Sequence, residues 1–269
     1  MLADWHVIDP KYANKHVVEY CKPIEYDSIK DGDIVFVQMN QLQRFLSTDI
    51  NNITCSIKLI THNGDTNINN DYNRYLSDTI TQWWSTNCDS NDPRMNQIPI
   101  GLQCKNLYYV GNPQGDDSII NTVKEMDVIK CDDVLLTFNK LTNLNHRTKV
   151  YNHFINKEFI NERCYTQDDR GSVDFIKDYL LDIKRHKFVL CPWGNGYDCH
   201  RNWEVMYMGS IPIIQKHPTL RYYEDLPVWL VDDWSEVNID NLEIKYREIY
   251  NKRYDTDKPY FDFWWKLIN

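Results

Sequence analysis

The chain has 269 residues, more than the roughly 100 to 200 of a usual single domain, so two modest domains are expected. Hydrophobic residues make up 42% and charged residues 26%, the balance of a globular protein with a core, which excludes disorder as the default. The net charge of −9 excludes a surface built to neutralise phosphate backbones, and no nucleic-acid partner is expected.

No run approaches the ~18 to 20 apolar residues of a membrane span, and the first residues show neither a basic leader nor an apolar signal core. A cytoplasmic or cytosol-facing location is the expectation. The 8 cysteines are scattered singly, without a Cys-x-x-Cys pair or zinc spacing, and read as free thiols.

In chain order, Ile34 to Val37 reads as a strand, followed by a polar helix-like segment from Gln41. Ile57 to Ile60 is a second strand, ending at Thr61-His62-Asn63-Gly64-Asp65; Asp71 to Thr79 reads as a helix and Ile98 to Leu102 as a short extended piece. A Gly- and Asp-rich stretch, Gly111 to Asp117, precedes a helix near Ile119 to Met126 and marks the expected domain junction. The domains are therefore drawn as residues 1–125 and 126–269.

The second half opens with the strand Val134 to Phe138 and a helix from about His146. Val173 to Arg185 carries Val173, Ile176, Leu180, Leu181 and Ile183 at near-helical period, and leads into the apolar run Phe188 to Cys191. A glycine turn, a helix from about Cys199 to Met208, the strands Ile211 to Ile214 and Val228 to Val231, and one or two aromatic helices beyond Ser235 complete the chain. Strands alternating with helices predict parallel α/β architecture.

The chemistry concentrates between Phe188 and Ile214. A strand, a glycine turn and a helix place the turn at the carboxyl end of a parallel strand, where open α/β sheets bind ligands. Gly194 and Gly196, flanking Asn195, can adopt positive φ and admit a ligand close to the backbone. The helix behind them offers free N–H groups and a positive dipole end, suited to a diphosphate. Asp198 and His200 stand at its entrance. Arg201 on the first turn opposes the dipole unless an anion is bound, and Glu204, four residues after His200, can accept two ribose hydroxyls. The plainer alternative is a tight turn in which Arg201 pairs with Glu204.

This segment resembles the donor-binding region of GT-B glycosyltransferases, especially the exostosin-like family: an apolar strand, Cys191-Pro192, a glycine turn, then Arg201, Trp203-Glu204 and Gly209-Ser210-Ile211-Pro212-Ile213. Tyr223-Glu224-Asp225-Leu226-Pro227 and Val228 to Trp234 resemble the element that follows in exostosin-like and fucosyltransferase-like enzymes. Leu59 to Asp65 and Ile98 to Leu102 are similar to the amino-terminal half of the same proteins. The resemblance implies a GT-B-like fold: two Rossmann-like domains facing a cleft, an acceptor-side first domain, a nucleotide-sugar-binding second domain and a C-terminal aromatic helix.

It also implies transfer of a sugar from a nucleotide-sugar to a hydroxyl on a glycan or glycoconjugate. Glu204 falls where many such enzymes keep the second Glu of a Glu-x7-Glu pair; the first Glu is absent from this sequence, which removes support for retaining chemistry. Arg147 resembles the basic residue directed at the donor phosphates. His62 and Asp65, just past a strand, are the candidates for the base that takes the acceptor proton.

Asp31-Gly32-Asp33 and Asp255-Thr256-Asp257 do not follow apolar strands, and Asp232-Asp233 leads into a helix entry, so no metal and no cofactor beyond the donor are expected. Two other functions fit the same residues: a nucleotide-sugar epimerase or hydrolase, and a non-catalytic nucleotide- or carbohydrate-binding module.

Overall fold

A computed structural model describes residues 3–7, 22–103, 113–163, 172–254 and 257–269. The chain forms two compact α/β units. The first comprises residues 1–100, 106–108 and 260–269, the second residues 101–105 and 109–259. The division falls earlier than the expected junction because the helix Asp117–Glu125 buries Ile119, Ile120 and Val123 and packs on the later helix Val173–Arg185. The terminal helix likewise belongs to the first unit.

In the first unit the strands are β1 (Trp5–Val7), β2 (Lys22–Pro23), β3 (Asp33–Gln38), β4 (Ile57–His62), β5 (Ile80–Ser85) and β6 (Met95–Gln97). All pair in parallel, in the order β2-β1-β3-β4-β5-β6. The helix α1 (Leu42–Ser47) buries Leu42, Phe45 and Leu46 in a core with Val35, Val37, Leu59 and Trp83. Residues Asn70–Tyr75 form a 3-10 helix in place of the α-helix expected from Asp71, with Asn69 capping its start. Ile98 to Leu102 lies outside any strand, following β6.

The second unit holds α2 (Asp117–Glu125), β7 (Cys131–Leu136), α3 (Leu144–Phe154), β8 (Ile160–Glu162), α4 (Val173–Arg185), β9 (His186–Leu190), α5 (His200–Tyr207), β10 (Ile211–Gln215), β11 (Trp229–Val231) and α6 (Ile239–Asn251); α7 (Phe261–Ile268) returns to the first unit. Its sheet is all parallel, ordered β11-β10-β9-β7-β8. Val134, Leu136, Phe188, Leu190, Ile211 and Ile213 share one core with Val150 and Phe154 of α3 and Leu242 and Ile249 of α6. Alternation turns the intervening Leu135 and Val189 to the opposite face.

The two sheets have the same strand order. Numbered within each unit, both begin 2-1-3-4-5, the doubly wound arrangement whose direction of growth reverses beside the first strand. The reversal lies between β1 and β3 in the first unit and between β7 and β9 in the second. No internal repeat is visible in the residues, so the likeness is one of topology.

Lys130 ties the strand starts of the second unit together. Its ammonium donates to the carbonyls of Lys184 (2.8 Å) and His186 (3.3 Å) and to Ser210 Oγ (2.7 Å), satisfying a carbonyl in the last turn of α4. Burial, helped by the nearby charge of Lys184, lowers its pKa from an ordinary 10.5 to about 8. The unfolded chain therefore holds a proton that the folded chain has released between these two values. Stability of the wild type relative to Lys130→Met should rise as pH increases from about 8 to about 10.5. Urea unfolding of both proteins across that window tests this, and parallel stability curves would contradict it.

Candidate functional site

In the second unit, the residues singled out in the sequence follow the carboxyl ends of β7 and β9. The segment between β9 and α5 is held from several sides. Arg147, buried on α3, donates through Nε to the Trp193 carbonyl (2.7 Å), through Nη1 to that of Asn139 (3.0 Å) and through Nη2 to that of Pro192 (3.3 Å). Asn143 Nδ2 donates to the Gly194 carbonyl at 2.7 Å, and the Gly194 amide donates to Cys199 Sγ at 3.1 Å and to the Gly196 carbonyl at 3.1 Å.

This geometry alters two expectations. Arg147 bridges the segment after β7 to the segment after β9, at the reversal of strand order, so its guanidinium is committed to backbone carbonyls rather than turned to a donor phosphate. Gly194 does not use positive φ, which among the described glycines falls at Gly32, Gly101, Gly115 and Gly209. A Cβ at Gly194 would lie 3.3 Å from both Arg147 Nη2 and Cys199 Sγ, so the absent side chain makes room for the protein's own groups. Gly196 also lacks positive φ and is buried, while Asn195 is exposed.

Asp198 is 2% exposed. It accepts from Trp203 Nε1 (3.1 Å), Tyr223 Oη (2.6 Å), the Tyr222 hydroxyl and, at 3.4 Å, Asn202 Nδ2. Burial and the facing carboxylate push both tyrosine pKa values well above the ordinary 10. The carboxylate thus joins the start of α5 to the segment Pro218–Asp225. It is a structural hub inside the candidate site, with its acceptors occupied.

Helix α5 begins at His200 behind Cys199, which provides no side-chain cap, while the Asn202 amide of the first turn donates to the Cys199 carbonyl at 3.0 Å. His200 Nδ1 is 2.8 Å from the Gly101 carbonyl. Gly209, with φ of 71°, ends the helix and sends the chain into β10.

Arg201 is 9% exposed, and its Nε is buried without a hydrogen-bond acceptor. Burial works against its charge, but Tyr179, Cys191, Cys199 and Glu204 outweigh it and hold the pKa above the ordinary arginine value. No ion pair within 4.0 Å joins Arg201 to Glu204 among the described residues. Glu204 instead accepts from Tyr179 Oη at 2.7 Å and from Gln114 Nε2 at 3.3 Å, and is 4% exposed. Its two oxygens are engaged inside the unit.

A row of rings that composition did not reveal lies beside this helix start. His146 stacks on Trp193 (4.6 Å, 11°), Trp193 meets Tyr197 edge-on (5.0 Å), and Tyr197 stacks on His217 (3.5 Å, 11°). Burial, reinforced by the Arg147 and Lys149 charges, lowers the pKa of His146.

In the first unit, His62 ends β4 with Nε2 3.0 Å from the Pro99 carbonyl and Nδ1 2.6 Å from Asn63 Oδ1. The carbonyl can only accept, which places a proton on Nε2. Asn63 has φ of 61°, and Asp65 is exposed, with no hydrogen bond to His62 among the described residues. Asp31 accepts from Ser56 N and Oγ, Asp33 from Trp5 Nε1, and Asp233 forms a capping box with Glu236, all structural uses of carboxylates weighed as metal ligands. Asp255 lies outside the described residues. Cys55, Cys88, Cys131, Cys191 and Cys199 are free thiols.

No family model matches the chain, and none of the curated proteins compared does. A solved structure described as "Crystal structure of GtfA/B complex" is similar over 89% of this chain and 54% of its own, at 8% identity and a TM-score of 0.35. The chain thus spans about half of that one's length. No helix among the described residues is long and apolar enough to cross a membrane.

The hub makes a sharp demand on stability. Asp198→Ala leaves the Tyr222 and Tyr223 hydroxyls and the Trp203 indole N–H buried without an acceptor, at a cost of about 3 kcal/mol or more. Tyr223→Phe should cost only about 1 kcal/mol, since one donor leaves and the carboxylate keeps others. Chemical denaturation of the two variants checks the difference, and equal losses would remove Asp198 from this role.

Proposed function

We propose that the second unit binds the diphosphate of a nucleotide-sugar on the first turn of α5, and that the chain is a GT-B-like glycosyltransferase moving the sugar to a hydroxyl of a glycan or glycoconjugate. The observation that carries this reading is Arg201, a buried guanidinium at a helix start whose Nε has no protein acceptor. A desolvated cation without a hydrogen-bond partner is costly, and an anion supplied by a ligand removes that cost. The location at the carboxyl end of β9, the start of α5 beside it and the sequence resemblance over residues 188–234 agree with it.

In this reading the leaving diphosphate takes its stabilisation from Arg201 and the dipole of α5 rather than from a metal. Glu204, held by Tyr179 and Gln114, sets the electrostatic surroundings of Arg201. Transfer is inverting, and His62 takes the acceptor proton through Nδ1. The Nε2 proton donated to the Pro99 carbonyl fixes its tautomer, and the Nδ1 lone pair becomes available to the acceptor hydroxyl when the Asn63 side chain moves off it. Asp65, exposed and apart from that imidazole, is assigned no step.

Arg201→Met should remain folded, with a Tm within about 4 °C of wild type, because Glu204 keeps its bonds from Tyr179 and Gln114. Its affinity for UDP or GDP, whichever binds wild type better, should fall by about tenfold or more. Calorimetry in buffer containing EDTA measures this, and unchanged affinity would remove Arg201 from the site. His62→Gln should leave nucleotide affinity intact and lower turnover of the matching nucleotide-sugar by about 10²- to 10⁴-fold. Turnover within threefold of wild type would exclude His62 as the base.

A further inference from the structure

A cavity of about 310 Å³ opens beyond the carboxyl ends of β10 and β11. Pro218, Leu220 and Leu230 give it an apolar surface, and Lys216, His217, Arg221 and Glu224 its polar groups. Its volume is at the lower end of the range for small-molecule pockets, with room for a nucleoside rather than a whole nucleotide-sugar. It adjoins the start of α5, since His217 of its wall stacks on Tyr197, three residues before His200.

Carboxylates at this end of the sheet are already in use. Glu204 is buried and accepts from Tyr179 and Gln114; Asp198 is filled by Trp203, Tyr222 and Tyr223. Asp225 is paired with Lys258, Asp232 with Lys216, and Asp233 and Glu236 cap the turn that follows β11. Glu224 differs: its backbone carbonyl takes Lys252, while its exposed carboxylate has no hydrogen-bond or ion-pair partner among the described residues. Arg221 is likewise exposed and without an ion-pair partner among them.

We infer that this cavity receives the nucleoside half of the donor, with the Glu224 carboxylate accepting the ribose hydroxyls and the base lying on Leu230. The assignment rests on the proposed function, and it places ribose recognition on Glu224 rather than on Glu204, to which the sequence alone pointed. A free carboxylate on the rim of an apolar pocket suits a vicinal diol, whose two O–H donors it accepts without first giving up a protein partner. Arg221 supplies N–H donors to the carbonyl oxygens of a base. Lys216, occupied by Asp232, is left out of the recognition.

The test uses pyrophosphate, UDP, GDP and the 2′-deoxy form of the better nucleotide, titrated into wild type, Glu224→Gln and Leu230→Trp. Wild type should bind one ribonucleotide at least tenfold more tightly than pyrophosphate. Both variants should lose roughly tenfold for that ribonucleotide and keep wild-type affinity for pyrophosphate. Glu224→Gln should also bind the ribo and 2′-deoxy forms nearly equally.

Binding of pyrophosphate with no gain from the nucleoside would overturn the cavity assignment and leave the anion site standing. Tight nucleotide binding unaffected by either variant would do the same. Failure of wild type to bind any of the four compounds would overturn the proposed function, and the cavity assignment with it.

Discussion

A single carboxylate organises the candidate site. Asp198 is withdrawn from water and accepts from an indole and two phenols on different parts of the second unit. A charge in that position is tolerated only where its lone pairs are filled, and here aromatic donors fill them. Because Trp203 lies on α5 while Tyr222 and Tyr223 lie between β10 and β11, the carboxylate fixes the helix start relative to the cavity wall. Arg201 is held in its buried place as a consequence, three residues from the hub and one turn from Glu204.

Arg147 works on the other side of the same segment. Doubly wound sheets leave a crevice where the strand order reverses, and in the second unit the guanidinium of Arg147 spans it with three carbonyl bonds. Gly194 lacks a side chain because that guanidinium and Cys199 occupy the space. The guanidinium thereby occupies part of the crevice at the reversal, and a cavity opens instead beside β10 and β11. The ring row from His146 to His217 follows the same displacement, crossing from α3 to the cavity.

The parallel α/β architecture was legible because buried strands such as Phe188 to Leu190 and Ile211 to Ile214 are continuous apolar runs, and because Val173 to Arg185 keeps helical period. Strand β5 was not: Ile80-Thr-Gln-Trp-Trp-Ser mixes polar residues into a buried strand, with Thr61 and Ser85 satisfying one another and the Trp83 indole inside the sheet. The roles of charged residues were less legible still. Arg147 and Arg201 both stand near helix starts beside the glycine turn, and spacing along the chain does not say which guanidinium meets carbonyls and which does not. Glu204 and Glu224 present the same difficulty, since their difference lies in Tyr179 and Gln114, which come from distant segments. The domain boundary depended on α2 packing against α4, a contact between elements about fifty residues apart that local composition does not encode.

The place of α7 has a consequence for the order in which the protein is made. Trp264 and Ile268 of this helix are buried in the first unit, where Lys58 also donates to the Ile268 carbonyl. A ribosome adding about 5 to 20 residues per second delivers them only after residues 109–259, on the order of ten seconds later. During that interval the strands β1 to β6 have emerged while the apolar seat for α7 stands open to water. The amino-terminal unit therefore completes its core last, and a nascent chain stalled within the second unit presents an unfilled hydrophobic surface to chaperones.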